Sequence, residues 1–270
     1  MQVTEKQKSI QLGTHNEDYG SWMSTPVFFM IGGLFFITGV LSILSFKTFH
    51  IIWLGIIFCM LSVVILLLFI LITWVRRQYS FTGGGIMNKV HQTLLSCLDF
   101  DGQGTLLEVG CGSGPLSIRA ALTWPDAKII GIDYWGAVYN YSEELCVRNA
   151  ASEGVSDRCH FQHGDAKHLH FPDESVDAVI SNYVFHNISG ANKQDLMLES
   201  LRVLKKGGVF AINDSMKPKM YGDVNVFIQK LRDMGYKNVQ IVDTTKEIFG
   251  SKQRAALLFL PHSTMIVGQK

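Results

Sequence analysis

Residues 106–114 read Leu-Leu-Glu-Val-Gly-Cys-Gly-Ser-Gly, and they decide how the larger part of the chain folds. An apolar run ends at Val109, three alternating glycines follow, and a helix is expected from about Leu116. Glycine has no Cβ, so the backbone can turn tightly here and a ligand can approach it closely. The N-terminus of the next helix would add free N–H groups and partial positive charge. The stretch therefore predicts a strand, a ligand-binding glycine turn (residues 110–114) and a helix.

Apolar strand-like runs and helical patterns alternate on both sides of this turn. Alternation at this spacing predicts βαβ units and a parallel sheet with helices on both faces, the doubly wound, Rossmann-like α/β class. Two further strand-like runs near the C-terminus make a seven-stranded sheet. The expected strands are 105–109, 128–132, 160–162, 176–181, 209–213, 239–243 and 264–268, and the expected helices are 86–98, 116–122, 138–153, 194–204 and 224–234.

Polar residues stand at the expected carboxyl ends of the strands, where doubly wound sheets bind ligands. Asp133 lies about 20 residues beyond the turn, a position from which an acid can bind both ribose hydroxyls. Asp165 and Asn182 follow the third and fourth strands. The dinucleotide fingerprint is incomplete, because Pro115 occupies its last glycine position, and the Gly-Lys-Ser/Thr of a phosphate-cradling loop is missing. A nucleoside ligand other than a nicotinamide or flavin cofactor is indicated.

With these motifs, residues 80–270 resemble the class I S-adenosylmethionine-dependent methyltransferases, in particular the group similar to the ubiquinone and menaquinone C-methyltransferases. The motifs that carry the resemblance are LLEVGCGSG, IIGID, FQHGDAKHLHFPDESVDAVISNYVFHNI and LRVLKKGGVFAIND. The resemblance covers about two-thirds of the chain. It implies the fold, the cofactor and methyl transfer, and it indicates little about the acceptor. Most members of this group lack the long apolar stretches that precede the motifs here.

The resemblance also implies how S-adenosylmethionine lies along this edge of the sheet. Its methionine end is expected on Glu108 and the glycine turn, its ribose on Asp133, and its adenine between Tyr134 and Asp165. Asn182 is expected beside the methionine portion. The implied cofactor-binding residues are Glu108, Gly110, Cys111, Gly112, Gly114, Asp133, Tyr134, Asp165, Ala166 and Asn182.

Side chains after the fourth and fifth strands are candidates to line the acceptor site: Tyr183, Phe185, His186, Asn187 and Asp214. An imidazole titrates near neutral pH, so His186 could take a proton from the acceptor; alternatively, it only forms hydrogen bonds within its loop. Tyr183 and Asp214 are the other catalytic candidates. Methyltransferases of amide or exocyclic nitrogens typically have Asn/Asp-Pro-Pro-Tyr/Phe at this position. The chain has Ser-Asn-Tyr-Val instead, which disfavours those acceptors.

Composition gives no indication of a nucleic-acid partner or a metal. The formal net charge is only +1, so no large basic surface for a phosphate backbone is expected. The five cysteines form no C-x-x-C pair. His160, His163, His168 and His170 crowd around the third strand, but spacing on a strand and loop fixes no coordination geometry. We expect neither nucleic acid nor metal.

Two long uncharged stretches, residues 26–46 and 51–75, precede the α/β pattern. About 20 apolar residues cross a bilayer core of about 30 Å, so a transmembrane hairpin is expected. Arg76 and Arg77 follow it directly, and by the positive-inside rule they stay in the cytoplasm. Neither stretch contains a charge, which favours an anchor over a transport path. The expected organisation is a cytoplasmic segment at 1–25, a hairpin at 26–75 and a cytoplasmic methyltransferase domain at 76–270 of a multi-pass cell-membrane protein.

Three functions remain open. The leading hypothesis is an enzyme that methylates a membrane-dissolved or amphipathic small molecule. The second is methylation of a membrane-protein side chain, and the third is a membrane-tethered protein that binds the cofactor without turnover. The short connection after the fifth strand, residues 215–221, leaves little room for a substrate cap, so the pocket is expected near the bilayer. Every residue assigned to the cofactor lies beyond position 107, so residues 1–75 are expected to be dispensable for cofactor binding.

Overall fold

The computed structural model of the chain contains two compact units. The structure describes residues 10–13, 17–20, 25–81, 83–136 and 141–270. Most of the expected N-terminal segment 1–25 lies outside these ranges, as does the start of the helix expected at 138–153. Among the described residues, one unit contains 20, 25–81 and 83–85, and the other contains 10–13, 17–19, 86–136 and 141–270.

The unit that begins at residue 20 consists of two long apolar helices. Helix α1 spans Thr25–Lys47 and helix α2 spans Ile52–Tyr79, with 23 and 28 residues. At about 1.5 Å per residue, each is longer than the roughly 30 Å hydrocarbon core of a bilayer. The helices pack against each other, and the Ser42 hydroxyl of α1 donates to the Gly55 carbonyl of α2 at 3.0 Å. Both helices are long and apolar enough to cross a membrane.

Large apolar side chains cover the outside of this helix pair. Phe36 on α1 is 70% exposed, and Trp53 on α2 is 66% exposed. Contiguous apolar surface of this extent is rare on soluble monomers, because its contact with water is unfavourable. A surface of this kind is typical of a site that contacts lipid or another protein.

The second unit is built on a seven-stranded sheet with the order β3-β2-β1-β4-β5-β7-β6. Strands β1 to β5 pair in parallel, whereas β7 runs antiparallel to β5 and β6. The structure confirms the doubly wound, Rossmann-like α/β class and the seven strands. The strands are β1 Thr105–Val109, β2 Lys128–Asp133, β3 Cys159–His163, β4 Val176–Asn182, β5 Leu204–Ser215, β6 Lys237–Val242 and β7 Ser263–Gln269.

Helices cover this sheet, and a 3₁₀ turn at Phe185–Asn187 follows β4. The helix expected at 194–204 is shorter than predicted, because Leu204 already pairs with Val176 and begins a 12-residue β5. The helices are α3 Ile86–Cys97, α4 Pro115–Thr123, α5 Glu143–Ser152, α6 Lys193–Arg202, α7 Pro218–Tyr221, α8 Val224–Asp233, α9 Thr244–Phe249 and α10 Lys252–Leu257.

Helices α9 and α10 between β6 and β7 were not predicted from the sequence. Each is only six residues long, so neither shows a helical repeat that a pattern could reveal. Their starts are marked by capping side chains: Asp243 accepts from the Lys246 N–H, and Ser251 accepts from the Arg254 N–H. The four-residue helix α7 likewise lies inside the stretch 215–221 that was expected to be a loop.

The glycine turn leaves β1 and is fastened to the end of β2. The Gly110 and Cys111 N–H groups both donate to the Ile132 carbonyl, at 2.8 and 2.9 Å. Gly110 has φ +82°, a left-handed conformation, and a Cβ added there would overlap the branched side chain of Val184. A glycine is therefore required at this position for both backbone and packing reasons.

We expect Gly110→Ala to destabilise the domain more than Gly190→Ala does. Gly190 has a similar φ of +69° but open space around it, so its substitution isolates the backbone cost of roughly 1–2 kcal/mol. The overlap with Val184 should add roughly 1–3 kcal/mol at Gly110. Urea unfolding in a mild detergent would measure both. The double variant Gly110→Ala/Val184→Ala should recover part of the loss, and equal costs for both single variants would contradict the packing argument.

Candidate cofactor and acceptor site

Glu108 lies in β1, directly before the glycine turn, and its side chain is buried. It is only 2% exposed, and its Oε2 accepts from the Ser117 hydroxyl of α4 at 2.5 Å. Burial raises the pKa of Glu108 to about 8; the negative charge of Asp133 acts in the same direction, and the bond from Ser117 acts against it. The carboxyl group is therefore poised to ionise when a cationic group binds beside it.

Asp133, the last residue of β2, holds the turn on one side. Its Oδ2 accepts from the Gly112 N–H and its Oδ1 accepts from the Trp135 N–H, both at 2.8 Å. Trp135 completes the link, because its indole N–H donates to the Gly112 carbonyl at 2.7 Å. Trp135 also has φ +45°, a strained conformation for an aromatic residue that is typical of functional sites. Each carboxylate oxygen retains a lone pair, which suits a ribose hydroxyl.

The residues assigned to the adenine follow on the next two strand ends. The Gly164 N–H donates to the Asp133 carbonyl at 2.9 Å, so the loop that carries Asp165 and Ala166 begins beside β2. Tyr134 is 65% exposed, and its ring centroid lies 5.2 Å from that of His163. An exposed aromatic ring next to an acid suits a flat nitrogen base that needs both stacking and a hydrogen-bond acceptor.

A buried polar network runs behind Asn182, at the end of β4. Its Oδ1 accepts from the Asn213 amide at 2.9 Å, and the Asn213 Oδ1 accepts from the Thr244 hydroxyl at 3.0 Å. Thr244 also bonds to Ser263 at 2.7 Å. Tyr183, at φ +57°, points its hydroxyl into the same network, 2.5 Å from Ser263, and burial raises its pKa to about 12. This position argues against the proton-transfer role considered for Tyr183.

His186 and Asp214 come together as a hydrogen-bonded pair at the ends of β4 and β5. The His186 Nδ1 lies 2.5 Å from the Asp214 Oδ1, and the His186 backbone N–H donates to Oδ2 at 3.2 Å. The Asp214 side chain is 1% exposed and the His186 side chain is 23% exposed. The buried carboxylate thus orients a partly accessible imidazole. Phe185, a candidate lining residue, is instead fully buried in the hydrophobic core.

The glycine turn has a second set of partners, on the side away from Asp133, that sequence reasoning missed. The Asn149 amide of α5 donates to the Ser113 carbonyl at 3.0 Å and to the Asp18 carbonyl at 2.9 Å. The Asp18 N–H donates back to Asn149 at 3.1 Å, and the Ser113 hydroxyl donates to the Tyr19 carbonyl at 2.9 Å. Residues ahead of α1 therefore contact the turn, whereas the residues assigned to the cofactor from the sequence all lie beyond position 107.

No local signal identifies these partners, because Asp18 and Asn149 are 131 residues apart. Trp135 was identifiable only as the neighbour of Tyr134 after an acidic strand end. Cys146, whose thiol donates to the Gly112 carbonyl at 3.2 Å, has no recognisable motif. In the part of the chain that the structure describes, no group of three His, Cys, Asp or Glu side chains could hold a metal ion.

Comparison with known proteins agrees with this geometry. A family model described as a methyltransferase domain matches residues 100–254. A demethylmenaquinone methyltransferase of Symbiobacterium thermophilum is 31% identical over 135 residues, which are 50% of this chain and 51% of that protein. A sterol 24-C-methyltransferase of Aspergillus fumigatus is 31% identical over 127 residues, 47% of this chain and 32% of that protein. The chain thus spans about half or less of the length of these relatives.

Solved structures share the fold at lower identity. The [4+2]-cyclase SpnF has a TM-score of 0.54 at 20% identity, covering 67% of this chain and 80% of that one. A geranyl diphosphate C-methyltransferase of Streptomyces coelicolor, in complex with S-adenosyl-L-homocysteine, has a TM-score of 0.52 at 17% identity, covering 68% and 79%. Because one of these neighbours is a cyclase, the fold alone does not determine the reaction. A family model that matches more than half of the chain does assign it: the chain belongs to the methyltransferase-domain family.

Proposed function

We propose that the chain is a membrane-tethered methyltransferase whose acceptor is a hydrophobic or amphipathic small molecule that loses a proton on methylation. The His186–Asp214 pair is the observation that carries this proposal. One ring nitrogen of His186 is bonded to Asp214, and the imidazole lies just after the end of β4, which is the neighbour of β1 in the sheet. A buried Asp–His pair is the usual arrangement for holding an imidazole in the basic tautomer.

S-adenosylmethionine supplies an electrophilic methyl group on a sulfonium sulfur. Glu108 and the turn would hold its amino-acid end, Asp133 its ribose, and Tyr134 with Asp165 its adenine. The buried carboxylate of Asp214 accepts the Nδ1 proton of His186, which leaves the lone pair on Nε2. Nε2 then accepts the proton that a hydroxyl or an acidic carbon of the acceptor releases. The same carboxylate stabilises the imidazolium that results.

The tether is supported by the two apolar helices and by the residues that flank them. Arg76 and Arg77 lie in the last turn of α2, where the positive-inside rule places them in the cytoplasm. Asp18 and Tyr19, ahead of α1, bond to the same compact unit that follows α2. Both ends of the hairpin must then lie on one side of any membrane that it crosses. A two-helix hairpin meets that requirement, whereas a single span does not.

The relatives support an apolar acceptor. Two relatives are named as a demethylmenaquinone methyltransferase and a sterol 24-C-methyltransferase, and each matches about half of this chain. A membrane tether keeps an enzyme where such molecules dissolve. Methylation of a membrane-protein side chain remains the alternative, and one experiment separates the two.

Full-length protein in membranes, supplied with tritium-methyl S-adenosylmethionine, should label the lipid extract and leave the protein pellet unlabelled. His186→Gln should slow this transfer by roughly 10²–10⁴-fold, the usual contribution of a general base, because the acceptor proton has no recipient. Cofactor affinity should stay the same. His160→Gln, which changes an exposed histidine of β3, is the matched control and should retain full activity.

Each other outcome has a definite meaning. Label in the protein pellet would establish the alternative acceptor class. Cofactor binding without any labelled product would favour a binding protein without turnover. Full activity of His186→Gln would remove the base from the mechanism and leave only positioning of the acceptor.

Cofactor binding at pH 7 should release about one proton from Glu108. Its pKa is raised to about 8 in the ligand-free domain, so the carboxyl group is mostly protonated at pH 7. The ammonium group of the cofactor favours the ionised form and lowers that pKa. Calorimetry in buffers of different ionisation enthalpy would count the proton. Glu108→Gln should abolish the buffer dependence, and a buffer-independent heat for the unaltered protein would refute the contact.

The membrane topology can be read by labelling intact cells with an impermeant maleimide. Cys59 is exposed on α2 and the other four cysteines are buried, so Cys59→Ser gives a suitable background. A cysteine at Thr48, between the helices, should react from outside, and one at Ser251, in the catalytic domain, should react only after lysis. The reverse pattern would separate the domain from the cytoplasmic cofactor supply and contradict the proposal.

A further inference from the structure

A short N-terminal segment lies against the cofactor side of the domain. We call this segment the strap and define it as residues 10–13 and 17–19. Two of its apolar side chains are buried like those of a core element: Leu12 is 2% exposed and Tyr19 is 7% exposed. The strap is therefore folded onto the domain and is part of its packed structure.

Buried polar groups of the domain fasten the strap at several points along α4 and α5. Arg119, which is 1% exposed, donates to the Ile10 carbonyl at 2.9 Å. The Tyr19 hydroxyl donates to the Glu153 carboxylate at 3.0 Å. These bonds lie at the beginning and the end of the strap, so the whole segment is held. Loss of the strap would leave buried hydrogen-bond donors and acceptors without partners, which is energetically unfavourable.

The C-terminal end of the strap reaches the cofactor site through Asn149. This residue is 2% exposed and uses its one side-chain amide for three bonds, two to the backbone of Asp18 and one to the Ser113 carbonyl. The Ser113 hydroxyl bonds directly to the Tyr19 carbonyl. Ser113 stands between Gly112 and Gly114, both of which have positive φ. The strap thus fixes the middle of the turn that holds the methionine end of the cofactor.

The two sides of the turn are held by different parts of the chain. Asp133 and Trp135 fix Gly112 from β2, and Asn149 with the strap fixes Ser113 from α5. A glycine has no side chain that restricts rotation of its backbone, so the conformation of the turn depends on its hydrogen bonds to these partners. Without the strap, Ser113 would be held only by the single hydrogen bond from Asn149 to its carbonyl group.

We propose that the strap is a positioning element of the S-adenosylmethionine site, and that residues ahead of the first apolar helix set the affinity for the cofactor. Only five residues separate Tyr19 from Thr25, the first residue of α1, and this stretch reaches at most roughly 22 Å. The strap is thus covalently close to the tether. The inference rests on the cofactor of the family and is independent of the proposed acceptor and of His186.

The direct test removes the strap and keeps both apolar helices. Deletion of residues 2–20 should weaken S-adenosylmethionine binding at least tenfold by calorimetry, because Ser113 and Asn149 lose their partners. Asn149→Ala in the full-length chain should weaken binding to a similar degree, since it detaches the turn from the strap. Arg148→Ala is the matched control, an exposed residue of the same helix, and should bind as the unaltered protein does.

A thermodynamic linkage experiment distinguishes a strap that positions the cofactor site from a strap that only stabilises the fold. A synthetic peptide of residues 8–22 should restore cofactor affinity to the deletion variant, and the cofactor should tighten peptide binding by the same factor. A peptide affinity that does not change when the cofactor is added would overturn the proposal. Normal cofactor affinity in both Asn149→Ala and the deletion variant would also overturn it. If the deletion variant does not fold, the affinity of Asn149→Ala decides the question, because alanine suits a helix interior.

Discussion

The carboxylate of Asp133 joins the glycine turn to the end of β2, and the cofactor site is arranged around this link. One oxygen holds the Gly112 N–H and the other holds the Trp135 N–H, so a single side chain fixes the turn and the aromatic residue beside it. The turn in turn positions the N-terminus of α4 and, through Ser117, the buried carboxyl group of Glu108. The parallel order of β1, β2 and β4 brings these groups to one edge. The chemistry then requires only an acceptor and a base on the neighbouring strand end.

The sequence predicted the elements whose residues lie close together in the chain. The order of the strands, the glycine turn and the acids at the ends of β1 and β2 follow from local pattern, because each depends on a few consecutive residues. The pairing of His186 with Asp214 was not derivable, although both were identified, since the two residues are 28 positions apart, one in the turn after β4 and the other near the end of β5. The side-chain directions of Tyr183 and Phe185 were not derivable for a related reason. Their hydroxyl and ring face the β7 side and the core, and a loop sequence gives no side-chain direction.

The strap shows more clearly what a local sequence pattern cannot predict. Residues 10–19 have no long apolar run and no repeat, and they precede two helices that dominate any hydropathy profile. Their hydrogen-bond partners lie more than a hundred residues later in the chain, at Asn149 and Glu153. The domain that contains the sheet therefore includes residues from both before and after the two apolar helices. Helices α9 and α10 were missed because they are too short to show a period, although Thr244 of α9 completes the network behind Asn182.

The position of β7 in the sheet determines when the sheet can be completed during synthesis of the protein. The strap leaves the ribosome well before its partner Asn149, which follows only after both apolar helices and the glycine turn. At roughly 5–20 residues per second, that interval is on the order of ten seconds. Strand β7 comes last, and it alone joins β6 to β5 and supplies Ser263 to Tyr183. A nascent chain thus completes both apolar helices long before the sheet can close, and a chain that ended before residue 263 would lack the strand that joins β6 to the rest of the sheet.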